Sequence, residues 1–224
     1  MTSFETSWAR QFGVRLPSRI VCVGRNYLAH AQEEGADLPT APLLFAKLSN
    51  TVIGPGEAIV LPAESVHVDA EAELALVIAK TSRGLRPDQA GAVLAGYTAA
   101  NDVSARDLQF ADGQWFRGKG YDSFCPIQPE IAELESLEPA LSVKQTVNGR
   151  VMQDGNTRDL IFGLAALVAY ISNVVTLERG DVILTGTPDG VGYFRDPPVP
   201  LAAGEVVEIE VEGVSALSNP VVAA

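Results

Sequence analysis

The pattern of apolar and polar positions along the chain predicts many short strands and few helices. Residues 68–79 alternate most clearly: Ala72, Leu74, Leu76 and Ile78 share one face, while Glu71, Glu73, Ala75 and Val77 share the other. Short apolar runs at 19–24, 43–47, 181–188 and 205–214 predict further strands, and 53–62 a turn followed by a strand. Residues 98–105 read as a strand running into a turn. Asn148-Gly149 supplies the positive backbone angles of a tight turn, so 142–155 reads as a hairpin. Helical spacing is clearest at 159–175, where Leu160, Leu164, Leu167, Ile171 and Val174 form an apolar stripe. Two shorter helices are expected, at 25–35 with Gly35 as its stop and at 88–97. No repeat, low-complexity tract or linker interrupts the chain. The expected organisation is an N-terminal extension over 1–18 and one mixed, β-rich α+β domain over 19–224.

Composition narrows the class without changing that picture. The 224 residues are 47% hydrophobic and 20% charged, ordinary for a globular domain with its own core. A formal net charge of −12 makes nucleic acid and anionic membrane poor partners. A small anionic ligand would need a local cationic patch or a bound cation. No apolar run reaches the ~20 residues of a membrane span, and the N-terminal stretch lacks the apolar core of a secretory signal. The two cysteines, Cys22 and Cys125, sit among apolar residues and read as buried, inert thiols of a reducing compartment. Cytoplasm is the expected location.

Candidate chemistry begins with the acids. Glu71 and Glu73 are two apart on a strand, so their side chains leave one face with Cα atoms about 6.6 Å apart. The wet face of a half-exposed sheet looks the same, but Ala75 and Val77 continue this face and are apolar. Inside a fold, two such carboxylates repel unless a cation lies between them. Hard oxygen ligands select Mg²⁺, Mn²⁺ or Ca²⁺. Asp102, just past a strand-like segment of small residues, is a third candidate ligand. Carboxylates with positions left for water and substrate suit a catalytic Mg²⁺ or Mn²⁺.

Of the two histidines, His30 has Glu33 and Glu34 at three and four residues' distance, on its own helix face. A carboxylate on one imidazole nitrogen fixes the tautomer and raises basicity at the other, which suits a general base; an exposed His–Glu pair would carry the same spacing. His67 has no comparable pattern and reads as structural. Arg25, Lys47, Arg106 and Lys119 lie beside glycines, turns or the acids, and in so acidic a chain they are candidates for holding a substrate carboxylate. Gly118 and Gly120 suggest a close backbone approach around Lys119, or a turn. TGTPDGVG at 185–192 is glycine-rich but does not match a phosphate loop.

These segments also carry a resemblance. GRNYLAHAQEEG, LLFAK, DAEAELALVIA, AANDVSARDLQ, WFRGKGYDSFCPI, VNG with QDGNT, and GDVILTGTPDGVG occur in the order seen in the fumarylacetoacetate hydrolase family. The chain resembles its short single-domain branch of acylpyruvate hydrolases and oxaloacetate decarboxylases. The resemblance implies a rolled β-sandwich with few helices, assembled as a homodimer. It further implies Mg²⁺ or Mn²⁺ on Glu71, Glu73 and Asp102, and a His30–Glu33 base dyad on a lid. Arg106, Gln109 and Lys119 match positions facing substrate or the ion's water shell, and Thr187 one that binds the substrate carboxylate. Two departures are Gln128, where many relatives have Gly, and Leu48, where Pro is frequent.

The implied activity is metal-dependent cleavage of a C–C bond in a small 2-oxo acid, through a stabilised pyruvate enolate. His30 would be the base, Lys119 an assistant, and Arg25 and Lys47 further substrate contacts. The alternative within the family is isomerase, tautomerase or hydratase work on 2-oxo or dienoic dicarboxylic acids. A non-catalytic metal-binding protein is the alternative outside it.

Overall fold

The computed structural model describes residues 1–35 and 37–224. Its architecture is mixed α+β and strand-rich, built on two open five-stranded sheets. In the first the order is β2 (Leu43–Lys47), β1 (Ile20–Gly24), β12 (Val182–Leu184), β6 (Ala72–Ile78) and β7 (Leu94–Asn101). In the second it is β11 (Arg150–Asn156), β10 (Ser142–Val147), β13 (Val206–Val211), β14 (Leu217–Ala223) and β4 (Ile59–Leu61). Two small ladders complete it, β3 (Val52–Ile53) with β9 (Cys125–Pro126) and β5 (Val68–Asp69) with β8 (Ser104–Ala105).

The period-two alternation of β6 decides which core each side chain enters. β6 lies between antiparallel partners β12 and β7, so both faces are covered. Leu74, Leu76 and Ile78 meet Val143, Val207, Ile209 and Val211 of the second sheet in the large core. Ala75 and Val77 face the other way, into a smaller core built by Phe4, Trp8 and Phe12.

Those three aromatics belong to α1 (Ser3–Phe12), inside the segment expected only as an extension. Thr2 and Glu5 form its capping box and Gly13 ends it in the left-handed region. The signal was the four-residue spacing of Phe4, Trp8 and Phe12, which puts all three on one face. Trp8 stacks on Phe4 and donates its indole N–H to the Gly180 carbonyl at 3.2 Å, tying the helix to the sheet.

The helix expected at 88–97 is replaced. A 3₁₀ segment, Pro87–Val93, gives way at Leu94 to β7. Pairing along β6 overrides a weak local preference already diluted by Gly91 and Gly96. The long helix is α5 (Leu164–Val174); it starts later than its apolar stripe because Gly163 is its N-cap. α2 (Leu28–Glu33) falls within the expected 25–35. Gln128 is buried: its amide N–H donates to the Ala99 carbonyl at 2.9 Å and its side chain to the Ser215 and Ala216 carbonyls. Leu48 is exposed and caps a short 3₁₀ turn at Ser49–Thr51. Cys22 and Cys125 are buried free thiols, and burial pushes the Cys125 thiol up to about 12. Among the described residues no helix is long and apolar enough to cross a membrane.

Candidate active site

Strand register brings the three acids together. Ala72 at the start of β6 pairs with Asn101 at the end of β7, so Glu71 and Asp102 emerge side by side. The Asp102 N–H donates to the Glu71 carbonyl at 2.9 Å, and the Glu71 N–H donates to Asn101 Oδ1 at 3.0 Å. Glu73 lies on the same face one pleat along. Glu71, Glu73 and Asp102 are all buried, and one oxygen from each lies within 4.8 Å of the others. The apolar Ala75 and Val77 were therefore a true indicator: this face is a packed interior that ends in carboxylates.

Those carboxylates are incompletely satisfied by protein. Asp102 Oδ1 has Lys47 Nζ at 2.8 Å, yet not at a hydrogen-bonding angle, and is left without a donor. Glu73 receives the Gly186 N–H on Oε2 at 2.6 Å, its one hydrogen bond among the described residues. Burial first, and the Asp102 charge second, push the Glu73 carboxyl well above its ordinary range. Among the described residues the fixed cations facing Asp69, Glu71, Glu73 and Asp102 are Lys47, Arg106 and Lys119, with the His67 ring also on Asp69, so ionising all four acids leaves one negative charge over. Three hard oxygen donors, an orphaned acceptor and that excess charge fit a divalent cation such as Mg²⁺ or Mn²⁺.

The cations come from the segments that follow β7. α3 (Arg106–Asp112) places Arg106 and Gln109 one turn apart on one face, with the guanidinium donating to Gln109 Oε1 at 3.1 Å. Arg106 also donates to Asp69 Oδ2 at 3.0 Å and to Glu71. α4 (Phe116–Lys119) ends in Lys119, whose Nζ reaches Glu71 at 2.9 Å and Asp102 at 2.6 Å. Gly118 explains how: a Cβ there would lie 2.7 Å from Gln109 Cβ, so only glycine lets α4 lie this close to α3.

Lys47 requires a correction. Its side chain is 0% exposed, and its Nζ donates to the Val103, Lys119 and Phe124 carbonyls at 2.7–3.0 Å, the Asp102 carboxylate being a fourth neighbour. Three hydrogens are used by three carbonyls. Lys47 supports Asp102 and the Lys119 backbone from beneath and has no donor left for substrate.

Opposite the acids stands α2. His30 is buried, with Nδ1 3.1 Å from Glu33 Oε2 and Nε2 3.2 Å from Glu34 Oε1. Glu33 Oε1 accepts the Gly190 N–H at 3.0 Å, which fixes the dyad to the loop after β12. Both glutamates therefore clamp the ring. Arg25 donates to Glu34 at 2.5 Å, and its guanidinium lies 5.8 Å from the Trp115 ring. Arg25, His30, Glu34, Arg106, Lys119 and Thr187 line one cavity with the three acids, closed down to about 10 Å³, room for little more than a water molecule.

Thr187 is positioned by backbone: its hydroxyl donates to the Ala72 carbonyl at 2.9 Å and accepts from Gln153 at 2.7 Å. Neighbouring Gly186 has φ 105, and a Cβ there would lie 2.8 Å from Asn26 Cβ, so the amide that holds Glu73 depends on glycine. Four contributors escaped the sequence reading: Asp69, Gln153, Trp115 and the Gly186 amide. Asp69 had a visible signal, being two residues before Glu71 on the same face. The others act through long-range contacts and had none. His67, read as structural, bonds Asp69 at 3.2 Å and packs against Tyr193.

The family model described as Fumarylacetoacetate (FAA) hydrolase C-terminal matches residues 19–222. The chain belongs to this family. Within it, the chain is 44% identical over 210 residues to the oxaloacetate tautomerase fahd2, mitochondrial, of Xenopus laevis, spanning 92% of this chain and 66% of the relative's length. Among solved structures it is similar to the 5-carboxymethyl-2-hydroxymuconate delta-isomerase from Mycobacterium smegmatis, with TM-score 0.84, 44% identity, and coverage of 93% of this chain and 80% of that one. It is also similar to the fumarylacetoacetate hydrolase from Exiguobacterium antarcticum, with TM-score 0.86, 39% identity, and coverage of 93% and 76%. The frog relative is named mitochondrial, so kinship lends the cytoplasmic expectation no support.

Proposed function

We propose that this chain is an enzyme that interconverts the keto and enol forms of oxaloacetate or a closely similar 2-oxo dicarboxylic acid, with a divalent ion held by Glu71, Glu73 and Asp102. The observation that carries this reading is His30, which lines the same cavity as the three acids and has its Nδ1 held 3.1 Å from Glu33 Oε2. C–C cleavage led the expectations from sequence. Similarity to relatives named oxaloacetate tautomerase and delta-isomerase moves proton transfer ahead of it.

The chain's residues divide the work as follows. Glu33 accepts the Nδ1 proton of His30 and thereby leaves Nε2 as the basic nitrogen. Nε2 takes a proton from C3 and returns it to the 2-oxygen, so atoms balance and nothing is released. Arg106 orients the 2-oxo acid carboxylate, Thr187 shapes the cavity wall beside it, and Lys119 places a positive charge near the developing enol oxygen. A bound Mg²⁺ or Mn²⁺ would supply Lewis-acid polarisation of the substrate oxygens. The small cavity excludes bulk water, which would otherwise compete for the proton. The expected homodimer belongs to this proposal and is read directly by sedimentation.

C–C cleavage is the second reading, favoured by the likeness to a fumarylacetoacetate hydrolase. One assay series separates the two: enol absorbance of oxaloacetate followed alongside pyruvate release from oxaloacetate and acetylpyruvate, with Mg²⁺ or Mn²⁺ and with EDTA. Fast enol–keto conversion without pyruvate supports the first reading. Pyruvate formed at a comparable rate would replace it with the second, and full speed in EDTA would remove the ion from both.

A further inference from the structure

We propose that Glu34 is a resident carboxylate, holding Arg25 and His30 Nε2 until the distal carboxylate of a 2-oxo dicarboxylic acid takes its place, so that the Arg25–Glu34 pair selects dicarboxylates over monocarboxylates. This rests on the reading of the cavity as a 2-oxo acid site.

Arg25 is unlike the other cations of the cavity. Arg106 and Lys119 are committed to the acid cluster. Arg25 instead pairs with Glu34, the C-cap of α2, on the segment that would have to move for a ligand to enter. It follows β1 directly and has φ 56, a left-handed conformation that a non-glycine residue adopts only at a cost. That backbone turn sends the guanidinium to the cavity wall, against Trp115 and within 2.5 Å of Glu34.

Glu34 uses one oxygen on Arg25 and the other on His30 Nε2 at 3.2 Å, and its side chain is only 7% exposed. Orienting the imidazole needs a single acid, and Glu33 already holds Nδ1. The second acid occupies the nitrogen that must be free to move a proton. Burial opposes its ionisation, but the bonds and charges of His30 and then Arg25 outweigh that and bring the Glu34 carboxyl down to about 2, so it is an anion at neutral pH.

A ligand's distal carboxylate can replace Glu34 on Arg25 with no net change in charge beside the guanidinium, and the proton shared by Nε2 and Glu34 leaves on the departing carboxyl, which frees Nε2 as a base. A ligand ending in a methyl group offers Arg25 nothing: displacing Glu34 then strands a buried cation, and leaving it in place keeps the base capped. Discrimination follows from this asymmetry.

The test is the ratio of kcat/KM for oxaloacetate over acetylpyruvate, enolisation being followed for both, in the Mg²⁺-loaded protein. Arg25→Met is expected to lower the ratio about 10- to 100-fold, the usual loss for one charge-assisted hydrogen bond, and Arg25→Lys to recover part of it. Glu34→Gln, which keeps the shape but not the charge, is expected to raise the ratio by lowering KM for oxaloacetate. A ratio that changes less than threefold in Arg25→Met, or both substrates falling together, overturns the proposal. If the wild-type protein turns over neither compound, the functional reading fails separately. Calorimetric binding of oxaloacetate against pyruvate, wild type against Arg25→Met, then decides this one by the same threefold criterion.

Discussion

The acid cluster and the α2 segment face each other across one cavity and are held in opposite ways. Glu71, Glu73 and Asp102 stand at the ends of paired strands, and the β6–β7 register sets their spacing before any side chain forms a bond. α2 spans six residues, Leu28–Glu33, and has no side-chain cap at its N-terminus. A helix this short is not stable by propensity alone. It is held by side chains: His30 to both glutamates, Glu33 to the Gly190 amide, Glu34 to Arg25. The rigid half suits the invariant task of holding an ion. The other half, fastened by exchangeable ion pairs, suits opening, closing and proton transfer. Mutations should therefore separate into those that abolish ion binding and those that spare it.

The largest effect is expected at Glu73. Glu73→Gln removes one ligand, and activity should fall about 1,000-fold, matching the several kcal/mol a Lewis acid contributes. Ion binding followed by calorimetry should weaken with it. Stability should move the other way. In its folded environment Glu73 is held well above its ordinary 4.5, so the folded state binds more protons than the unfolded one, and metal-free stability falls as pH rises beyond that value. Glu73→Gln should flatten this dependence in EDTA and leave Tm at neutral pH equal to or above wild type. A variant that melts earlier in EDTA while keeping its activity would break the division between the two halves.

His30→Ala tests the opposite half. Loss of a general base should lower kcat about 100-fold or more, while Mn²⁺ affinity stays unchanged. Glu33→Gln should cost less, about tenfold, because the ring keeps its place and loses only part of its basicity. If His30→Ala also abolished ion binding, the two halves would be one cooperative unit and the comparison would need redrawing.

The same contrast explains what was legible in the sequence. The acid cluster depends on a period of two and on strand ends, both visible in a linear string: Glu71 and Glu73 alternate with Leu74 and Leu76, and the apolar Ala75 and Val77 indicated burial. The strand-rich class followed from the same alternation. His30 with two acids at helical spacing was equally visible. Hidden were the partners those side chains find across the fold. Arg25 meets Glu34 because a left-handed residue turns it inward, and Lys47 sinks under Asp102 because β2 ends beside β1. α1 is less legible, although Phe4, Trp8 and Phe12 share a face, because it precedes the first strand and its partners lie far along the chain. The beginning of β7 reads as helix because its local residues tolerate one, and only pairing with β6 requires a strand there.

The smallest effect sharpens the comparison most directly, since it asks whether the α2 half loosens while the sheet half stays firm. The folded-state carboxyl of Glu34 lies at about 2 against an ordinary 4.5. A depressed acid stabilises the closed segment fully above 4.5, and that contribution is lost progressively as pH falls towards about 2. Trp115 is a built-in reporter, being 5.8 Å from the Arg25 guanidinium whose partner is being protonated. Its emission should shift across this window before near-ultraviolet dichroism records global unfolding. Glu34→Gln serves as the control: the other tryptophan, Trp8, lies buried on α1 and contributes equally to both proteins. The variant should show the shifted emission already at neutral pH and lack the acid transition. Identical titrations in the two proteins would mean that Glu34 does not hold the segment closed, leaving Glu33 and the Gly190 amide as the fastening.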